Sequence, residues 1–402
     1  MAVLKVVQPG QATALSTLPR AQVVAFVTDG ESQRIVQHAI SNWTEAPDSV
    51  RRGDISKAID FLTSERSPNL LIVDISGASL PVSEIQRLAD VCEPGVHVVA
   101  VGDRSDIGLF RDLMHVGVSD YIVKPLTYEL VSKAVQIAIG VTAANPISQK
   151  LGKLVTVMGT RGGVGATTVA VNLAWHLSNR MGRRVALLDL DLQTGDCGLM
   201  LDVKSTTGLR EMLDNPARLD NLFLERVMSA HGSHLFVLSA EEPMLDELKF
   251  SANAGEPLVT ALRAQFHYVI VDLPRTPSAL SKRVIDLASI RVIVADETIR
   301  SVRDIVRLKP VLGSDNSERR TMVVVNRAGE PRPGAIPAAA FASSLEMEPA
   351  VTIPFQRMSG TPPASYGAPA AAGSGRIATA IADLASEVSG QRSEKKGWKL
   401  WR

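Results

Sequence analysis

One stretch constrains this chain more than any other: Leu154 to Asp196, reading LVTVMGTRGGVGATTVAVNLAWHLSNRMGRRVALLDLDLQTGD. An apolar run suited to a buried strand comes first. A glycine-rich turn, an amphipathic helical segment and a second apolar run closing on Asp189 and Asp191 follow. That order is the layout of a phosphate-binding βαβ unit. Gly162, Gly163 and Gly165 let the backbone curl around Val164 so that successive N–H groups point inward, and the next helix presents its N-terminus to an anion. Thr167 is placed to ligate Mg²⁺ and Thr168 to hydrogen-bond a phosphate oxygen. Such a loop normally carries a lysine before its hydroxyl residue, and here Ala166 occupies that place.

At 402 residues the chain exceeds the ~250–300 at which single cores stop growing, so two domains are expected. A formal net charge of +1 supplies no global field toward nucleic acid or an anionic membrane. Cys92 and Cys197, the two cysteines, cannot build a disulfide framework and suit a reducing compartment. No apolar run approaches the ~18 residues of a membrane span. The N-terminus has no basic segment followed by an apolar core. A cytosolic location is the expectation.

Pattern and composition divide the chain further. Residues 1–20 read as an irregular lead-in. From 21 to 141, buried-type strands VVAFV, LLIVDI, HVVAVG and DYIVK alternate with helical segments, which predicts a parallel sheet covered on both faces. Periodicity lapses over 142–152, a linker, and a second α/β domain is expected over 153–390. Within it, SGTPPASYGAPAAAGSG reads as a loop, and Arg300, Arg303 and Arg307 form a basic stripe read as a solvated helix face. The tail 391–402 mixes five basic residues with Trp398, Leu400 and Trp401, a composition suited to weak, reversible membrane contact.

In the first domain, Asp29, Asp74, Gly102 and Lys124 fall at strand ends, where functional groups of parallel sheets gather. With HVGVSDYIVKPL before the last helix, this pattern resembles the receiver domain of response regulators. The resemblance makes Asp74 the phosphate acceptor, Lys124-Pro125 the lysine pair and Asp29, with Glu31, the acidic residues after the first strand. Gly102 stands where that family has Ser or Thr, so an interaction or dimerisation module is expected rather than a working phospho-switch.

In the second domain the glycine turn continues into DLDLQTGD, FHYVIVDLP and MVVVNRAG. Together these resemble the deviant Walker ATPases of the MinD/ParA class. The resemblance puts Arg161 at the signature-lysine position that reaches across a dimer, Asp191 at the water-positioning acid and Asp189 near the metal. It also makes Asp272 the Walker B acid and Asn326-Arg327 the adenine-contacting pair. The implied cofactors are ATP or ADP and Mg²⁺, and the implied assembly is a homodimer. Without the loop lysine, hydrolysis is expected to be slow or absent.

A receiver-like domain ahead of a MinD/ParA-like domain resembles the TadZ/CpaE-type localisation proteins of Flp (Tad) pilus assembly. That implies two doubly wound α/β domains: a flavodoxin-like receiver and a P-loop NTPase of the MinD/ParA type. It also implies a cytoplasmic protein at a cell pole or membrane patch, with the pilus secretion ATPase and inner-membrane platform as partners and no role for nucleic acid. Two other readings stay open: an active positioning or partitioning ATPase, and a phospho-regulated response regulator with an NTPase-like output domain.

Overall fold

The apolar runs of the first half become parallel strands. A computed structural model describes residues 22–139 and 151–390, apart from 42, 45–46, 277, 346–347 and 357–367. The lead-in, most of the linker, part of the Pro/Ala/Gly-rich loop and the basic tail lie outside the described residues. The chain divides into two units, one within residues 18–151 and one within 152–402, each built on its own sheet.

The first sheet contains Val23–Val27 (β1), Val50–Arg52 (β2), Leu70–Asp74 (β3), His97–Gly102 (β4) and Asp120–Val123 (β5). Their order is β2-β1-β3-β4-β5 and every pair is parallel, a flavodoxin-like winding. Alternation decides the two faces. Val23, Ala25 and Val27 pack with Val36 and Ile40 of the helix Gly30–Ile40 and Val131 and Val135 of the helix Tyr128–Ile139. Val24 and Phe26 pack on the opposite side with the helices Ile55–Ser64, Pro81–Val91 and Ile107–His115. The strand β2 is absent from the sequence reading. It has three residues, VRR, two of them exposed at the sheet edge, so it carries almost no hydrophobic signal.

The second sheet has eight strands: Lys153–Gly159 (β6), Val185–Asp189 (β7), Ser229–His231 (β8), Leu235–Leu238 (β9), Tyr268–Asp272 (β10), Ile290–Ala295 (β11), Arg320–Ala328 (β12) and Val351–Pro354 (β13). They run in the order β13-β12-β11-β6-β10-β7-β9-β8, parallel except for the hairpin of β8 and β9. In β6, Leu154 and Met158 enter one apolar layer while Val155 and Val157 enter the other, as a period of two requires. The helices Ala166–Asn179 and Arg376–Ser389 cover that second layer. The central position of β6 brings the ends of β10 and β11 to either side of its glycine loop.

Candidate functional site

The loop after β6 turns through left-handed backbone at Gly163 (φ 80°) and Gly165 (φ 88°), and the 14-residue helix Ala166–Asn179 starts without a side-chain cap. Gly165 is required twice over. Its φ is hostile to a side chain, and a Cβ there would lie 2.4 Å from Asn326 Nδ2. Gly162 and Gly163 are exposed, so the loop backbone and the first turn of the helix offer N–H groups to an anion. Ala166, half-buried, packs against the layer containing Val164 and Val169 and contributes no charge. Thr168 is exposed beside it.

Thr167 and the downstream acids meet. Thr167 Oγ1 donates to Asp272 Oδ2 at 2.6 Å. Asp189 and Asp272 end the paired strands β7 and β10 opposite one another and are 1% and 2% exposed. Asp189 accepts from the N–H groups of Asp191 (3.0 Å) and Cys197 (3.2 Å). Burial pushes both carboxyls up, Asp189 to about 6 and Asp272 to about 7, and the neighbouring acid adds to the Asp272 shift. Asp272 Oδ1 is buried without a hydrogen-bond partner. An orphaned carboxylate oxygen beside a threonine hydroxyl fits an oxygen-seeking cation, so these residues suit Mg²⁺. Asp191 behaves differently. Both its oxygens are bound within its own turn, to Thr194 N (3.0 Å) and Thr194 Oγ1 (2.7 Å).

Arg161 points to a partner in its own chain. Its Nη2 lies 2.6 Å from Asp296 Oδ2, and Arg332 pairs with the same oxygen. Asp296 Oδ1 accepts from Thr298 Oγ1 (2.7 Å) and Ser301 Oγ (2.6 Å). Burial opposes ionisation here, but the two hydroxyls and Arg161 outweigh it and hold the carboxyl down at about 2. Asn326 is spent on the loop: its Nδ2 donates to Val164 O (2.8 Å) and its Oδ1 accepts from Arg327 N (2.9 Å). Arg327 adopts φ 58°, a strained backbone region for a residue with a side chain. Its guanidinium reaches Gly163 O at 3.4 Å and pairs with Glu330.

In the first unit, Asp29, Asp74 and Lys124 converge. Asp74 is fully buried, and its Oδ2 takes Lys124 Nζ (2.6 Å), Thr28 Oγ1 (2.6 Å) and Thr28 N (2.9 Å), while Ser76 N donates to Oδ1 (2.9 Å). Lys124 also reaches Asp29 Oδ2 at 2.7 Å, and Asp29 caps the first helix through Ser32 N. Against the cost of burial, Lys124, Ser76 and Thr28 lower the Asp74 carboxyl; Lys124 lowers that of Asp29. A Cβ at Gly102 would lie 2.4 Å from Tyr121 Oη, so the ring of Tyr121 occupies the space a hydroxyl side chain would need.

A family model described as "ParA: NUBPL iron-transfer P-loop NTPase" matches residues 150–295. The chain carries a ParA/MinD-like P-loop NTPase domain. The septum site-determining protein MinD of Bacillus subtilis is 24% identical to it over 177 residues, 44% of this chain and 65% of that protein. The chain therefore spans just under two thirds of that relative's length. The crystal structure of the cell division ATPase MinD from Pyrococcus furiosus is similar to 60% of this chain and 99% of its own, with a TM-score of 0.50 at 23% identity, a likeness of fold. A crystal structure of the pilus assembly protein CpaE from Caulobacter crescentus is 34% identical, covering 29% of this chain and 97% of that one, with a TM-score of 0.27. No helix among the described residues is long and apolar enough to cross a membrane.

Three residues beside the loop and the acids, Asp296, Arg332 and Cys197, were given no place in the site by sequence. Asp296 shared the signal that exposed Asp189 and Asp272, an acid closing an apolar strand, in IRVIVAD. Arg332 lies in an irregular segment and Cys197 in a short polar stretch, and neither carries a spacing that separates it from its neighbours.

Proposed function

We propose that this protein is a nucleotide-binding, dimerising localisation scaffold for Flp (Tad) pilus assembly, with ATP hydrolysis slow or absent. One observation carries the reading: an intact phosphate loop and acid cluster whose lysine position is the neutral Ala166. Gly163, Gly165 and the helix start receive phosphates. Thr167 and Asp272 hold the metal side, and Asp189 braces the neighbouring backbone. Mg²⁺, when bound, supplies charge neutralisation at the β and γ phosphates. The missing ammonium removes transition-state stabilisation worth ~3 kcal/mol, two or more orders of magnitude in rate, while backbone binding survives.

The pilus assignment rests on the order of the two units, receiver-like then ParA/MinD-like, which resembles the TadZ/CpaE-type arrangement. It entails focal localisation at a pole or membrane patch and association with a pilus secretion ATPase and its membrane platform. The buried, fully hydrogen-bonded Asp74 supports a first unit that acts by contact rather than by phosphorylation. The retained Thr167–Asp272 bond favours the second reading, an active positioning ATPase. ATP turnover of the wild type measured beside Ala166→Lys separates the two, and equal rates would remove the scaffold reading. Co-purification with the secretion ATPase tests the pilus assignment.

A further inference from the structure

The acid cluster contains a third side chain that phosphate binding does not use. Cys197 opens the short helix Cys197–Met200, is fully buried, and places its Sγ 3.7 Å from Asp272 Oδ2. One ligand atom from each of Asp189, Cys197 and Asp272 lies within 4.8 Å of the others. Metal–oxygen and metal–sulfur bonds of ~2.0–2.3 Å bridge ligand atoms up to about 4.3 Å apart, so the three side chains lie close to the spacing one shared cation requires.

Two features of the pocket ask for a cation. Both carboxylates are almost wholly buried, and their partners are N–H, hydroxyl and thiol groups; among the described residues no lysine or arginine is paired with either. Asp272 Oδ1, buried in the same place, has no donor at all. Burying such carboxyl groups is costly, and the cost is met either by keeping the proton or by coordinating a metal that displaces it. The sulfur then sets the class of ion. Mg²⁺ takes hard oxygen ligands, whereas a thiolate selects softer cations such as Zn²⁺ or Co²⁺.

We propose that Asp189, Cys197 and Asp272 form a site for a thiophilic divalent cation, with Cys197 as a thiolate ligand. The inference deepens the reading of this pocket as the cation side of a nucleotide domain, and it requires no nucleotide. As the metal–sulfur bond forms, the thiol proton leaves to solvent and no electron is transferred. A nearby dication favours this because it stabilises the thiolate. Thr167, donating to Asp272 Oδ2, orients the carboxylate from behind.

Co²⁺ titration of the nucleotide-free, full-length protein under reducing conditions tests the proposal through the thiolate-to-cobalt charge-transfer band in the near ultraviolet. The expected result is a saturable band that survives Cys92→Ala and disappears in Cys197→Ser. Absence of the band, or its persistence in a folded Cys197→Ser, overturns the site. Should that variant fail to fold, X-ray absorption of Zn²⁺-loaded Cys92→Ala decides: a sulfur neighbour supports the site, and an all-oxygen and nitrogen shell overturns it. A fluorescent ATP analogue is titrated in parallel. The band without ATP-analogue binding would sink the nucleotide reading alone, and ATP-analogue binding without the band would sink the thiolate site alone.

Discussion

Arg161 and Asp296 meet because their strands are register-matched neighbours. Gly159 at the end of β6 pairs with Val294 of β11, and the two residues that follow by equal steps close a 2.6 Å ion pair beside the glycine loop. Arg161 therefore starts from a bound position within its own chain. Any reach toward the nucleotide of a partner copy has to break this pair first.

Replacing Asp296 by Asn removes the anion that Arg161 and Arg332 share. A loss of about 1.5–3 kcal/mol is expected, the worth of hydrogen bonds to charged groups, read as a lower urea midpoint with unchanged slope. The pH dependence has a defined sign. The folded carboxyl sits near 2, below its ordinary 3.8, so its stabilisation is present above pH 3.8 and fades as pH falls through 2. The stability gap between wild type and variant should accordingly narrow below pH 3.8; a gap that widens there contradicts the assignment.

Restoring the ammonium with Ala166→Lys is expected to raise ATP turnover by about 100-fold or more, in line with single electrostatic groups at a transition state. Steady-state phosphate release at saturating Mg-ATP measures it.

Gly165→Ala combines a forbidden φ with a collision on Asn326. The substitution is expected to cost about 1–3 kcal/mol and to weaken ATP-analogue binding, because the loop loses the bond from Asn326 to Val164. Gly162→Ala, at an exposed site whose Cβ would have no neighbour nearer than 4.0 Å, serves as the control and should leave stability closer to wild type.

Acetyl phosphate should leave Asp74 unlabelled in mass spectrometry of the intact protein, since the carboxylate is fully buried and its Oδ2 already takes three donors. Asp74→Asn leaves Lys124 with Asp29 as its remaining carboxylate partner and is expected to destabilise the first unit by about 1.5–3 kcal/mol. Efficient labelling would restore the phospho-switch reading.

Much of the fold was legible because parallel strands buried on both faces announce themselves as short apolar runs. VVAFV, LLIVDI, HVVAVG, VALLD and YVIVD all became strands of the two sheets. The edge strand β2 was not, because an exposed three-residue VRR has no pattern to read. The glycine turn and the acids at strand ends were also legible, since left-handed backbone restricts residue type and each acid closes an apolar run.

What the sequence determined by itself was the inventory: a glycine cradle without its lysine, a hydroxyl at Thr167 and acids at the ends of apolar strands. Those properties are local, set by backbone freedom and side-chain chemistry. Tertiary structure alone decided the pairings. Arg161 is held by Asp296, Asn326 supports the loop, Tyr121 fills the space above Gly102, and Cys197 joins two buried acids 75 or fewer residues away. Each pairing depends on which strands lie side by side and in what register, and hydrophobic burial of whole faces sets that order without reference to the polar groups it brings together.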